Sequence, residues 1–97
     1  MQVLESKIER DFVRLLTTYS ILSIKLRLTG ERGWPDRLVL IPGGHPVFIE
    51  FKRPGQALRS LQLHRHKILR TLGYDVKIFD DAIKALKYVF QKVPGAI

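Results

Sequence analysis

Two acidic residues and a lysine lie close together around a short apolar hairpin. Asp36 precedes the first strand of this hairpin, and Glu50 and Lys52 follow at the end of the second. With the turn centred on Gly44, Asp36 pairs with Lys52, and Glu50 lies diagonally across from Asp36. Because side chains two residues apart on a strand share a face, the three charged groups are expected on one side of the sheet.

Such a cluster has two interpretations. Two neighbouring carboxylates repel each other unless a cation lies between them. Lys52 could supply that charge, and the cluster would then be an internal salt bridge. A divalent metal ion would supply it better, since Mg²⁺ binds one or two carboxylates together with water and phosphate oxygens. The pattern favours the metal site, which leaves the lysine to contact a phosphate or an attacking water.

The elements that position these residues follow from the spacing of apolar side chains. Helical spacing predicts a helix from residue 3 to about 20, and alternation predicts a half-buried strand over 22–28 whose apolar side is covered. Apolar runs at 38–41 and 47–49, separated by prolines and glycines, predict the hairpin. Both faces of these two strands are apolar, which predicts a central, covered position in the sheet.

The second half of the chain contains a helix, a strand and a last helix. Ser60 is the predicted N-cap of the first of these helices, and Gly73 is its C-terminal stop. A strand is predicted around 76–79, and Asp80 or Asp81 is predicted to cap the final helix. The predicted fold is therefore an α/β domain over residues 1–97, of order α-β-β-β-α-β-α, with a mixed sheet flanked by helices.

Composition limits the functional classes. The 97 residues are 45% hydrophobic, enough for one core, although so small a domain gains from pairing with a second copy. The absence of cysteine excludes disulfides and thiolate zinc sites. No apolar run reaches the roughly 20 residues of a membrane span, and the N-terminus lacks a signal-peptide pattern, so we expect a soluble, intracellular protein. The net charge of +8 favours a nucleic-acid partner.

Three sequence motifs, in order, resemble those of a known family. They are Gly33-Trp34-Pro35-Asp36, Glu50-Phe51-Lys52 and Ser60-Leu61-Gln62. Together they resemble the G-x-P-D motif, the E-x-K motif and the S-x-x-Q or S-x-Q helix start of the VRR-NUC branch of the PD-(D/E)XK nucleases. Glu5 on the first helix resembles the N-terminal glutamate of that family. An E-x-K motif alone has almost no specificity, whereas the ordered set is much more specific.

The resemblance implies a PD-(D/E)XK nuclease-like core and assigns roles to particular residues. Asp36, Glu50 and the backbone carbonyl of Phe51 would ligate Mg²⁺ or Mn²⁺, and Glu5 would complete the shell directly or through water. Lys52 would orient or deprotonate the water, and Gln62 would position the water or the lysine. Glu9, one turn after Glu5, is the alternative helix carboxylate.

Basic residues flank this cluster along the chain. Each one alone is an ordinary solvated charge, but together they could form a track for DNA phosphates. The residues concerned are Arg32, Arg37, Arg53, Arg59, Arg65 and Lys67.

Trp34 could stack on a base or pack under its loop. The three histidines do not form a convincing metal site, since His64 and His66 are two apart on a helix, but these two could contact phosphate.

The function implied is a Mg²⁺-dependent, structure-selective DNA endonuclease. Stand-alone members of the family, of phage or bacterial type, are small homodimers that cleave four-way (Holliday) junctions, which predicts a dimer acting on branched DNA near the nucleoid. An apolar stripe on the first or last helix is a candidate dimer contact. The alternatives are a non-catalytic DNA-binding module and a nuclease for flaps, single strands or duplex DNA. No small-molecule cofactor or membrane association is expected.

Overall fold

Three helices flank a four-stranded mixed sheet in the computed structural model, which describes residues 4–95. The elements are α1 (Glu5–Thr18), β1 (Leu22–Lys25), β2 (Arg37–Ile41), β3 (His45–Phe51), α2 (Ser60–Thr71), β4 (Asp75–Phe79) and α3 (Ala82–Lys92). The strands lie in the order β1-β2-β3-β4; the first three are antiparallel, and β4 is parallel to β3. The predicted α/β class and element order are confirmed, while residue 3 of the predicted first helix lies outside the described residues.

One face of the sheet packs against α1 and α3 and forms the main core. The apolar stripes of both helices pack here against side chains of β2 and β3. Val39 and Ile49 are two of these side chains, and both are fully buried. The rings of Phe12 and Phe51 lie 5.2 Å apart and connect α1 to the end of β3. These stripes are therefore occupied within the chain and do not offer the dimer contact that the sequence suggested.

The opposite face is only half covered. Because α2 is the crossover between the parallel strands β3 and β4, it lies over those two strands and buries His66 and Leu69. The predicted covering of both faces of β2 is therefore wrong, since Leu40 is 40% exposed. The orientation predicted for β1 is also wrong, because its apolar side chains, Leu22 and Ile24, are the exposed ones.

The hairpin is shifted by two residues from the predicted register. Its loop is 42–44, and Ile41 pairs with His45, so the turn is centred on Gly43 rather than Gly44. Both glycines have positive φ, at 95° and 81°, which lets a three-residue loop close the turn. A shift of two preserves which side chains share a face, whereas a shift of one would have reversed them.

The ends of two elements also differ from prediction. β1 ends at Lys25, three residues early, and the chain then forms a loop that carries the G-x-P-D residues. The N-cap of α2 is Arg59 rather than Ser60, because the Gln62 side chain accepts a hydrogen bond from the Arg59 backbone N–H at 2.9 Å. Asp81 caps α3, as one of the two predicted alternatives.

None of the helices within residues 4–95 is long and apolar enough to cross a membrane.

Candidate active site

Asp36 and Glu50 meet at the end of the central hairpin. Continuing the observed register places Asp36 opposite Glu50, one step beyond the pair formed by Arg37 and Ile49. An Asp36 carboxylate oxygen accepts a hydrogen bond from the Phe51 backbone N–H at 2.8 Å, which fixes its position. The two carboxyl groups lie close enough that each shifts the pKa of the other, and Glu50 is 1% exposed. The structure thus brings the two predicted carboxylates together more directly than the predicted diagonal.

The surroundings of this pair oppose its negative charge. Burial raises the pKa of Asp36 to about 7, and repulsion by Glu50 adds to the rise, although the Phe51 N–H counteracts it. Burial likewise raises the pKa of Glu50, against the lowering effects of Asp36 and Lys52. Near neutral pH the pair therefore needs a shared proton or a nearby cation.

Lys52 is held beside the pair rather than between its oxygens. Its backbone N–H donates to the Phe79 carbonyl at 3.0 Å, which extends the pairing of β3 with β4 by one residue. Its side chain is buried, and its ammonium lies 3.9 Å from a carboxylate oxygen of Glu5. Glu5 is thus drawn towards the site from the first turn of α1.

Glu9, the alternative helix carboxylate, is engaged elsewhere. It lies 2.7 Å from the Lys25 ammonium and 2.8 Å from Nε of Arg37. Arg37 also donates to the Ser23 hydroxyl at 3.3 Å. This arrangement makes Arg37 part of an internal ion pair on the α1 side of the sheet, and its place in the phosphate track stays a prediction.

Helix α2 contributes two side chains to Glu50. Gln62 approaches one carboxylate oxygen, with its Nε2 at 3.5 Å, while its own oxygen caps the helix. His66 approaches the other oxygen, with its Nε2 at 3.3 Å, and is fully buried. The sequence motifs assign no role to His66, although its spacing of four from Gln62 places both residues on one helix face.

The donor atoms suit a hard divalent cation. Asp36 and Glu50 offer carboxylate oxygens, and both have a raised pKa that a cation would reverse. Within residues 4–95 no three His, Cys, Asp or Glu side chains are grouped closely enough to hold a metal by themselves. A site of two carboxylates completed by backbone, water and phosphate oxygens is the arrangement that Mg²⁺ favours. The carboxylates of Asp36 and Glu50 therefore fit the ion, and the metal-binding roles of Asp36, Glu50, Glu5 and the Phe51 carbonyl stay predictions.

The loop before β2 is fixed against the start of α2. Gly33 has φ +85°, and a Cβ there would lie 2.6 Å from Cγ and 3.0 Å from the carbonyl oxygen of Leu61. Trp34 packs in the loop, with the Arg65 guanidinium 4.6 Å from its ring centre, and Arg65 also donates to the Arg32 carbonyl. Of the two readings of Trp34, the structure therefore supports packing in the loop.

The remaining basic residues predicted to contact DNA are exposed or half-buried. Arg32, Arg59 and Lys67 are exposed, and Arg53 is half-buried, with its backbone N–H bound to the Gln56 side chain at 3.1 Å. Their positions are compatible with a phosphate track, which stays a prediction.

Comparison with known proteins agrees with this geometry. No protein-family profile matches the sequence. Over 76 residues the chain is 37% identical to a protein named "Putative nuclease p44" of Acyrthosiphon pisum secondary endosymbiont phage 1, covering 78% of this chain and 82% of that protein. A solved structure described as a VRR_NUC domain superposes with a TM-score of 0.78 at 26% identity, covering 88% of this chain and 92% of the other. The chain therefore belongs to the VRR-NUC family of nucleases.

Proposed function

We propose that this nuclease is a Mg²⁺-dependent endonuclease that hydrolyses DNA phosphodiester bonds. The observation that carries the proposal is the buried contact between Asp36 and Glu50, with the Lys52 side chain buried beside it. Binding of phosphate alone would have no use for two clustered carboxylates, which repel phosphate. A hydrolytic site needs them to hold a cation.

Each residue of the site has a defined task in this chemistry. Asp36 and Glu50 hold Mg²⁺ or Mn²⁺, with the Phe51 carbonyl and Glu5 as further ligands. When bound, the ion offsets the carboxylate charge, lowers the pKa of water and stabilises charge on the phosphate. Lys52 orients the attacking water or accepts its proton. Gln62 keeps Glu50 in place from the start of α2.

The DNA track is the basic surface around α2. The net charge of +8 attracts the phosphate backbone without reading its sequence. Arg59 and Lys67 project from α2, the helix that also contacts Glu50. We place the scissile phosphate between this surface and the carboxylate pair. The phage origin of the related protein supports action on DNA inside a cell.

We further propose a homodimer that cuts four-way junctions. A twofold axis places two active sites symmetrically, as paired cuts in a branched substrate require. The uncovered face of β1 and β2, formed by Leu22, Ile24, Leu38 and Leu40, has no charged side chain in a strongly basic chain. Two copies repel each other elsewhere on their surfaces, so this apolar face favours a second copy as its occupant.

One cleavage experiment tests the proposed chemistry. Wild type, Asp36→Asn and Asp11→Asn are incubated with a four-way junction, a flap and linear duplex, in Mg²⁺ or in EDTA. Asp11 lies on the outer surface of α1 and pairs with Lys7, so its variant is the matched control. We expect Mg²⁺-dependent cutting by wild type and the control, and a loss of at least ~100-fold in Asp36→Asn.

The outcomes separate the alternatives. Symmetric cuts in the junction alone support a resolvase, whereas equal cutting of plain duplex contradicts junction selectivity. Binding without any metal-dependent cutting would leave a non-catalytic DNA-binding module.

A further inference from the structure

His66 is a buried side chain whose position relates it to Glu50. It lies on α2 with no exposed surface, and its Nε2 is 3.3 Å from one oxygen of Glu50. One helical turn earlier, Gln62 places its Nε2 3.5 Å from the other oxygen. Two successive turns of α2 therefore each direct one nitrogen at the same carboxylate.

Packing alone does not account for a histidine here. Buried polar atoms are almost always hydrogen-bonded, yet Nδ1 of His66 has no hydrogen-bond partner among the described residues. A leucine or methionine would fill a similar volume without leaving a polar atom unpaired. The contact of Nε2 with Glu50 is thus the interaction that distinguishes histidine from an apolar residue at this position.

The contact with Glu50 also favours one position for the ring proton. A neutral imidazole has one N–H, and the hydrogen bonds that the ring makes select the nitrogen that carries it. Facing an ionised Glu50, that hydrogen belongs on Nε2, where it donates to the carboxylate. Nδ1, which then carries a lone pair, is the atom without a hydrogen-bond partner among the described residues.

We infer that His66 is a positioning residue that, together with Gln62, holds the Glu50 carboxylate in the orientation required to bind the divalent ion. The inference rests on the proposed metal site and adds a residue to which the sequence motifs assign no role. Groups that hydrogen-bond to a metal-ligating carboxylate fix its orientation, and their removal commonly costs ~10–100-fold in metal affinity or activity.

Four variants test the inference. His66→Leu removes the donor and keeps an apolar side chain of similar size, whereas His66→Gln keeps an N–H donor near the position of Nε2. His64→Leu and His64→Gln make the same changes at an exposed position two residues earlier on α2. Mn²⁺ and Mg²⁺ binding is measured by titration calorimetry, four-way-junction binding is measured in EDTA, and folding is followed by circular dichroism.

We expect His66→Leu to lose ~10–100-fold in metal affinity while it binds the junction as wild type does. His66→Gln should recover most of that affinity, and both His64 variants should match wild type. Unchanged metal affinity in His66→Leu would overturn the inference, as would equal losses in His66→Leu and His66→Gln, because the ring shape would then matter rather than the donor.

A measurement on the wild-type protein tests the inference about His66 even if His66→Leu does not fold. The nitrogen chemical shifts of His66 in the Mg²⁺-loaded protein should report hydrogen on Nε2, and hydrogen on Nδ1 alone would overturn the inference. If wild type binds no divalent metal, the proposed function fails and this inference with it. If wild type binds metal and His66→Leu binds it equally, only the role of His66 is lost.

Discussion

At the scale of single residues, the site keeps two carboxyl groups in surroundings that disfavour their ionised form. Asp36 and Glu50 are in contact in a largely buried position, where both carboxyl groups have a raised pKa. Lys52 lowers the pKa of Glu50, but its ammonium lies closer to Glu5, at 3.9 Å. Unfavourable electrostatics of this kind are typical of functional sites, because a bound ligand supplies the missing charge.

The raised pKa of Asp36 predicts how the stability of the metal-free protein depends on pH. The folded-state pKa of about 7 exceeds the ordinary value of 3.8, so the folded state binds this proton more tightly than the unfolded state does. Stability contributed by the protonated group is therefore complete below about pH 4 and is lost as the pH rises towards 7. Urea denaturation in EDTA should show wild type losing stability relative to Asp36→Asn across this range.

Asp11→Asn is the control for this measurement. Its hydrogen bond with Lys7 holds the pKa of Asp11 below the ordinary value. The stability that this ionised group contributes is therefore lost as the pH falls, and the loss occurs at more acid pH than the change predicted for Asp36. Between about pH 5 and 7 the stability difference between wild type and Asp11→Asn should stay constant. Parallel curves for wild type and Asp36→Asn would contradict the prediction.

At the scale of elements, α2 and the loop before β2 are held together to form one side of the site. The loop presents Asp36, and α2 presents Gln62 and His66 to Glu50. The contact of Gly33 with Leu61, in the first turn of α2, sets the distance between these two segments. A glycine is needed there both for its positive φ and for the close approach.

Gly33→Ala should therefore reduce both stability and nuclease activity. The added Cβ would lie 2.6 Å from a Leu61 side-chain atom and 3.0 Å from its carbonyl oxygen, so the loop or α2 must move. We expect a loss of about 1–3 kcal/mol in the free energy of unfolding, together with weaker cleavage. Chemical denaturation and a junction-cleavage assay measure the two effects.

Gly30→Ala is the matched control, because Gly30 has a similar φ of +77° but open space around its Cβ position. It carries the backbone strain without the contact. Equal effects of the two variants on cleavage would show that the contact with Leu61 does not matter for the site.

At the scale of the whole molecule, the sheet has one complete face and one incomplete face. The helices α1 and α3 enclose the first, whereas α2 covers only the β3 and β4 half of the second. Leu22 remains 59% exposed and Ile24 42% exposed at one edge of the sheet. An apolar surface of this kind in a chain of net charge +8 is typical of a contact between proteins.

The homodimer proposal predicts that Ile24→Lys yields a monomer. The substitution puts two like charges into a self-complementary interface, one from each copy, and their burial is unfavourable. The molar mass is measured by light scattering during gel filtration. Ile83→Lys makes the same change at an isoleucine on α3 that is 50% exposed, and it should remain dimeric. A dimer that survives Ile24→Lys would place the contact on another surface.

Local patterns in the sequence determined the order of the elements, because helical and alternating spacing depends only on near neighbours along the chain. The ordered motifs likewise identified Asp36, Glu50 and Lys52 as the residues to be brought together. Gln62 was identified in the same way, although its second contact, the cap on Arg59, was not foreseen.

Tertiary structure decided the features that depend on distant segments. The hairpin turns about Gly43, and Pro94, which is distant in sequence, occupies the space that a Cβ atom at Gly43 would need. The turn residues alone therefore did not specify the register. Ion pairs with Lys25 and Arg37 engage Glu9, and Glu5 is the carboxylate near Lys52. His66 gained its position beside Glu50 only when α2 packed on β3. Each of these outcomes depends on contacts between residues far apart in the sequence, which no local pattern records.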